Sequence, residues 1–156
     1  MGRLGLVAHG VSVPIREHRR EEFKRRAIYM SKQFDTVIFS LDRGLGKVSE
    51  EEDEYVRVVR IPLDYLRSPI WLRHLIRAYG IDVLFCDTLG DAIPVAYALM
   101  GRGRPALITF IQAYEACLNA LYMRELMRVE VRRSPLEKLL WPKDAFLMKL
   151  SDKILC

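Results

Sequence analysis

Residues 81–112, IDVLFCDTLGDAIPVAYALMGRGRPALITFIQ, decide the reading of the fold. Ile81 to Cys86 is an apolar run without polar alternation, which suits a strand buried on both faces. It stops at Asp87 and Thr88. Gly90, Asp91 and Pro94 then open a second apolar segment, Ala92 to Met100, with Asp91 placed to cap a helix. Gly101 and Gly103 end that helix, and Pro105 leads into another buried run, Ala106 to Ile111. The pattern predicts a strand-helix-strand crossover between parallel strands. Ligands of such units sit outside the carboxyl ends of the strands, which singles out Asp87, Thr88, Gln112 and Tyr114.

The same alternation runs through the rest of the chain. Leu4 to Ala8 is a first short strand, ending at His9-Gly10. After a loop from His9 to His18, Phe23, Ala27, Met30 and Phe34 recur at helical spacing between charged residues. Thr36 to Leu41 is a second strand, Asp42 to Glu54 a polar loop in which Ser49 and Glu52 could cap one helical turn, and Tyr55 to Ile61 a third strand. Pro69 opens a helix to about Tyr79, and Gly80 closes it. Beyond the central unit, helices are predicted from Tyr114 to about Glu130 and again from Ser134-Pro135, with a break at Pro142. Lys153 to Cys156 starts one more strand, and an unclosed strand is expected to continue into further chain. The order, β-α-β-β-α-β-α-β-α-α-β, predicts an α/β fold: one three-layer, doubly wound, Rossmann-like domain with a mainly parallel sheet.

Composition narrows the function without naming it. The 156 residues are 51% hydrophobic, and mean hydropathy is +0.02, as in a globular chain with a real core. No apolar run approaches a membrane span and the start does not resemble a signal peptide, so the reading is cytoplasmic. Cys86, Cys117 and Cys156 show no paired spacing and read as reduced core thiols. The net charge of +5 is interspersed. Asn119 is the sole Asn, and Gln33 and Gln112 are the only Gln, so the abundant Arg, Lys and Glu read as thermophilic adaptation. No nucleic-acid partner is expected.

Several motifs fail on inspection. Arg43-Gly44-Leu45-Gly46-Lys47 is not a phosphate loop, because Leu41 stands where a glycine is needed and Val48 replaces the metal-binding hydroxyl. No GxGxxG follows the first strand. His9, His18 and His74 have no ligand spacing, so no metal is expected. What survives is positional. If the first and fourth of these strands flank the point where strand order reverses, then His9, Gly10, Asp87, Thr88, Gln112 and Tyr114 line one crevice. Three of them have a structural alternative: His9 bonded to backbone, Asp87 capping a turn, Gln112 opening a helix. The basic, aromatic stretch from Leu121 to Leu150 permits a membrane-surface helix, though Glu125, Glu130 and Glu137 favour ordinary packing on the sheet.

Three stretches carry a family resemblance. IDVLFCDTLGDAIPVAYAL resembles a strand and small-residue helix written D-V-apolar-apolar, RPALITFIQA resembles P-apolar-apolar-T, and LSDKILC resembles A-D-x-apolar-apolar. Together they are similar to the N-terminal domain of a GT-B glycosyltransferase, in the family 4, glycogen-synthase-like group. The resemblance implies an acceptor-binding half whose partner, a C-terminal donor domain, holds the nucleotide-sugar. It implies a sugar or lipid-linked acceptor, no cofactor or obligatory metal, possible peripheral contact with the inner face of the membrane, and inactivity without the donor half. His9-Gly10, Asp87 and Gln112 match the cleft-facing loops. The chain departs from the pattern in lacking a glycine pair after the first strand and in carrying Gln112 where histidine is frequent. A non-catalytic doubly wound binding domain, or half of a GT-B sugar-nucleotide epimerase, are the alternatives.

Overall fold

The computed structural model describes residues 2–64, 66–86, 92–100, 103–110 and 150–155. Seven strands form one sheet: β1 (Arg3–His9), β2 (Asp35–Asp42), β3 (Ser49–Glu52), β4 (Arg57–Pro62), β5 (Val83–Cys86), β6 (Ala106–Phe110) and β7 (Lys153–Leu155). Their order is β3-β4-β2-β1-β5-β6-β7, and every pair is parallel except β3 with β4. From β1 the chain first winds outward through β2 to β4, then returns to the other side of β1 for β5 and β6. Strand order therefore reverses between β1 and β5, and a doubly wound sheet results.

Helices cover both faces. Side chains of a strand alternate, so Leu4, Leu6 and Ala8 point one way and Val7 the other. The first set packs with Ile38, Val58 and Phe85 against Phe23 and Ala27 of α1 (Glu21–Ser31). On the opposite face Val7, Phe39, Leu41, Leu84 and Leu107 pack against Leu72 and Ile76 of α2 (Ser68–Ala78) and Val95 and Ala98 of α3 (Ala92–Ala98). Gly5 sits where the layers are tightest: a Cβ there would lie 2.9 Å from Leu84 Cδ1 and 3.0 Å from Phe39 Cε2. The α/β, mainly parallel, three-layer architecture is the one the alternating pattern predicts.

Helix ends follow the local chemistry. Asp64 Oδ1 accepts the amides of Leu66 (2.8 Å) and Arg67 (3.3 Å) before α2, and Pro69 occupies its first turn. Gly80, at φ +59°, closes it as a Schellman turn, with Ile81 N donating to Ile76 O at 3.0 Å. Phe34 does not continue the α1 stripe. The helix ends at Ser31, and Phe34 is left 47% exposed before β2.

One element departs from expectation. Residues 49–52 are the strand β3, not a loop with a helical turn. Ser-Glu-Glu-Glu has no apolar face and pairs antiparallel with β4 at the sheet margin, where charged side chains suit an edge strand. Arginines of β4 match those carboxylates: Arg57 meets Glu52 at 2.7 Å, and Arg60 meets Glu51. The Asp91 cap and the helices predicted after Tyr114 lie outside the described residues.

Candidate functional site

The carboxyl ends of β1, β2 and β4 converge beside the point of reversal. β1 ends at His9, adjacent to β5, with Val7 in register with Cys86. His9 Nδ1 lies 3.1 Å from Leu41 O. A carbonyl can only accept, so Nδ1 carries a proton and donates it to Leu41 O. The backbone-bonded alternative for His9 is thus what forms.

Gly10 turns the chain away at φ +56°, and a Cβ added there would meet nothing within 4 Å. The left-handed backbone and the open space above it let a ligand approach the main chain closely here.

The loop that follows is held firmly. Val11 and Ile15 are buried in the α1-side core. Val11 N donates to Ser40 Oγ at 2.9 Å, and Ile15 N donates to Asp53 Oδ2 at 2.7 Å. Ser40 is fully buried; its hydroxyl donates to Asp42 Oδ1 at 2.9 Å, and Asp42 Oδ2 accepts from Arg60 Nη1 at 2.8 Å. Arg60 also reaches Glu51 of β3. The Glu51 carboxylate, and after it Asp42, hold the Arg60 guanidinium above its ordinary range, against the opposing effect of burial. A continuous polar chain therefore runs from the sheet margin to the amide that follows Gly10.

Of the six residues predicted for the crevice, the structure places His9 and Gly10 together at the carboxyl edge. Asp87, Thr88, Gln112 and Tyr114 lie outside the described residues. Ser40, Asp42 and Arg60 escaped the sequence reading. Asp42, which in the sequence opens a polar stretch, ends β2, and the signal for the cluster is Arg60 interrupting an otherwise apolar strand.

A second cleft, about 370 Å³, opens at the opposite edge among Arg3, Asp35, Glu52, Tyr55, Arg57 and Tyr79. Its charged groups are already engaged: Arg3 meets Asp35 at 2.5 Å and Arg57 meets Glu52, while Asp53 accepts the Ile15 amide and Glu54 meets Arg16, so it reads as a structural junction. Among the described residues no three His, Cys, Asp or Glu side chains stand together as metal ligands. No helix there is long and apolar enough to cross a membrane.

With this geometry in hand, the fold finds a counterpart. The chain matches a solved structure of sucrose-phosphate synthase from Thermosynechococcus elongatus with a TM-score of 0.63 and 10% identity, over 99% of this chain and 42% of that one. The fold is a Rossmann-like α/β half of the GT-B kind. A second chain of the same synthase aligns at a TM-score of 0.46 and 10% identity, over 95% of this chain and 98% of that one. No protein-family profile and no curated protein sequence matches the chain. The 156 residues span less than half the length of the larger synthase chain.

Proposed function

We propose that this chain is the acceptor-binding half of a glycosyltransferase, of the family 4, glycogen-synthase-like kind, moving a sugar from a nucleotide-sugar to a sugar or lipid-linked acceptor. The observation that supports the proposal is the match of 99% of the chain to 42% of the length of a sucrose-phosphate synthase. On this reading the donor half, with the groups that grip the nucleotide, lies outside the 156 residues, and the chain alone is inactive. The protein works in the cytoplasm of a thermophile, without a metal or cofactor of its own in this half.

The crevice supplies what an acceptor needs. Gly10 lets a hydroxyl-rich ring approach the backbone. His9, held by Nδ1 on Leu41 O, sets its ring at the carboxyl edge beside Gly10, where a sugar hydroxyl would pass. Asp87, Thr88, Gln112 and Tyr114 are assigned to the same crevice by their places in the chain after β5 and β6. The polar chain from Arg60 to Val11 keeps the His9–Gly10 turn in one position, so little ordering remains for binding to impose.

The test uses the enzyme with its donor half present. His9→Ala, or Asp87→Ala, should raise the acceptor KM roughly tenfold, the loss of about one well-placed hydrogen bond, while donor binding stays within about twofold. Unchanged acceptor kinetics in both variants would remove the site assignment.

A further inference from the structure

Among the described residues, Leu66, Ile70, Tyr97 and Met100 are large apolar side chains that stand exposed on one face. With Pro69 and Arg73 they line a groove of about 530 Å³ beside α2 and α3. Leu66 is 83% exposed and Ile70 69%, so these side chains project outward rather than lining a closed slot. Clustered apolar side chains of this size mark an interaction surface.

Among the described residues, the charge beside the patch on α2 and α3 has one sign. Arg73 and Arg77 follow Ile70 at helical spacing, and the structure gives neither an ion pair among the described residues. Neither α2 (SPIWLRHLIRA) nor α3 (AIPVAYA) carries a carboxylate. The nearest acid in the preceding loop, Asp64, already serves the Leu66 and Arg67 amides and the Arg67 guanidinium at 3.9 Å.

We infer that this α2–α3 face docks on an anionic lipid surface, with Leu66, Ile70, Tyr97 and Met100 entering the interfacial zone and Arg73 and Arg77 meeting headgroup phosphates. Projecting apolar side chains flanked by cations match the boundary between acyl chains and phosphates, and a tyrosine suits that depth. A second copy of the chain is a poorer occupant, because two-fold pairing of this face would bring arginines close to arginines. A clamped peptide is poorer too, since the most prominent side chains stand clear of the surface. The inference does not depend on sugar transfer. It also concerns a different surface from the basic stretch between Leu121 and Leu150.

The test is flotation of the full 156-residue chain with vesicles of phosphatidylcholine alone or with roughly one third phosphatidylglycerol. The chain should float with the anionic vesicles and much less with the neutral ones. R73Q with R77Q should lower partitioning by roughly thirtyfold, the contribution of two arginines near an anionic surface. L66S with I70S should lower it by at least about tenfold. R19Q with K32Q, an equal charge change on exposed residues away from this face, should leave binding nearly unchanged. Circular dichroism checks that each variant is folded. Absence of flotation at low salt would overturn the inference, as would an equal loss in the R19Q/K32Q control. A dimer that I70S converts to monomer would assign the face to self-association instead, and a lipid-independent complex with an acidic peptide would assign it to a protein partner.

Discussion

Where the parallel strands begin, the sheet is closed by carboxylates placed on backbone amides; where they end, it is closed by a buried hydroxyl, a loop and an arginine. At the starting edge, Asp82 Oδ2 accepts the Arg3 amide at 2.8 Å and Asp152 Oδ2 accepts the Leu107 amide at 2.7 Å. Asp35, in register with Arg3, takes its guanidinium instead, Nε to Oδ2 at 2.6 Å. Each aspartate stands at, or one residue before, the start of its strand and contacts the neighbouring strand. At the finishing edge the Ser40–Asp42–Arg60 chain fixes a turn that has open space above it. One edge is satisfied internally and has no evident work beyond holding strands together. The other is rigid underneath and open on top, the arrangement expected of a binding edge.

The largest effect predicted from this difference is at the finishing edge. Ser40→Ala removes the acceptor for Val11 N and the donor to Asp42 in a fully buried position, and should cost about 1–3 kcal/mol. Urea unfolding should show a lower midpoint at an unchanged slope. A midpoint equal to wild type would mean that the loop after β1 is not held through Ser40, and the contrast between a rigid and an open side of the crevice would fail.

Next in size is Asp82→Ala at the starting edge. Asp82 is exposed, so water can replace the lost carboxylate at Arg3 N, and the cost should be about 1 kcal/mol or less by the same measurement. Asp82→Asn keeps an acceptor and should recover part of it. A loss larger than that of Ser40→Ala would reverse the ranking of the two edges.

The two edges also differed in how far they could be read from the residues. An aspartate that satisfies a neighbouring amide works at a fixed offset from its own strand, so D-V-L-F and D-K-I-L are visible as short motifs. The structure supplies the physical reason for two of the three stretches that carry the family resemblance. The buried runs of β1, β2, β5 and β6 were legible for a similar reason, since burial on both faces forbids alternation. β3 was not legible, because a strand without apolar residues is stabilised by the arginines of β4, five and nine positions along the chain from the glutamates they meet. Ser40, Asp42 and Arg60 become neighbours only once β2 is known to lie between β1 and β4. Strand order is a tertiary fact that periodicity does not contain. His9 and Gly10 were found by rule, as the residues ending a strand at the reversal, but the rule says nothing of Leu41 O or of the Nδ1 proton it accepts.

The smallest predicted effect separates the edges by pH. The Arg104 guanidinium, bonded to both carboxylate oxygens, and then the Leu107 amide hold Asp152 below the ordinary 3.8 of an aspartate. A carboxyl depressed on folding contributes stability above its unfolded value and loses that contribution as pH falls through the folded one. The stability difference between wild type and Asp152→Asn should therefore be constant from about pH 5 to pH 7 and shrink below about pH 4. Arg60 at the other edge has the opposite sign: a base raised on folding contributes below its ordinary unfolded value and loses the contribution only in strong alkali. Its own titration thus leaves stability flat across the acid and neutral range. A wild-type minus Asp152→Asn difference that stayed level down to about pH 2 would show that Arg104 and Leu107 do not favour the charged carboxylate. The β6–β7 part of the starting edge would then owe its closure to strand pairing, with no part carried by the charge of Asp152.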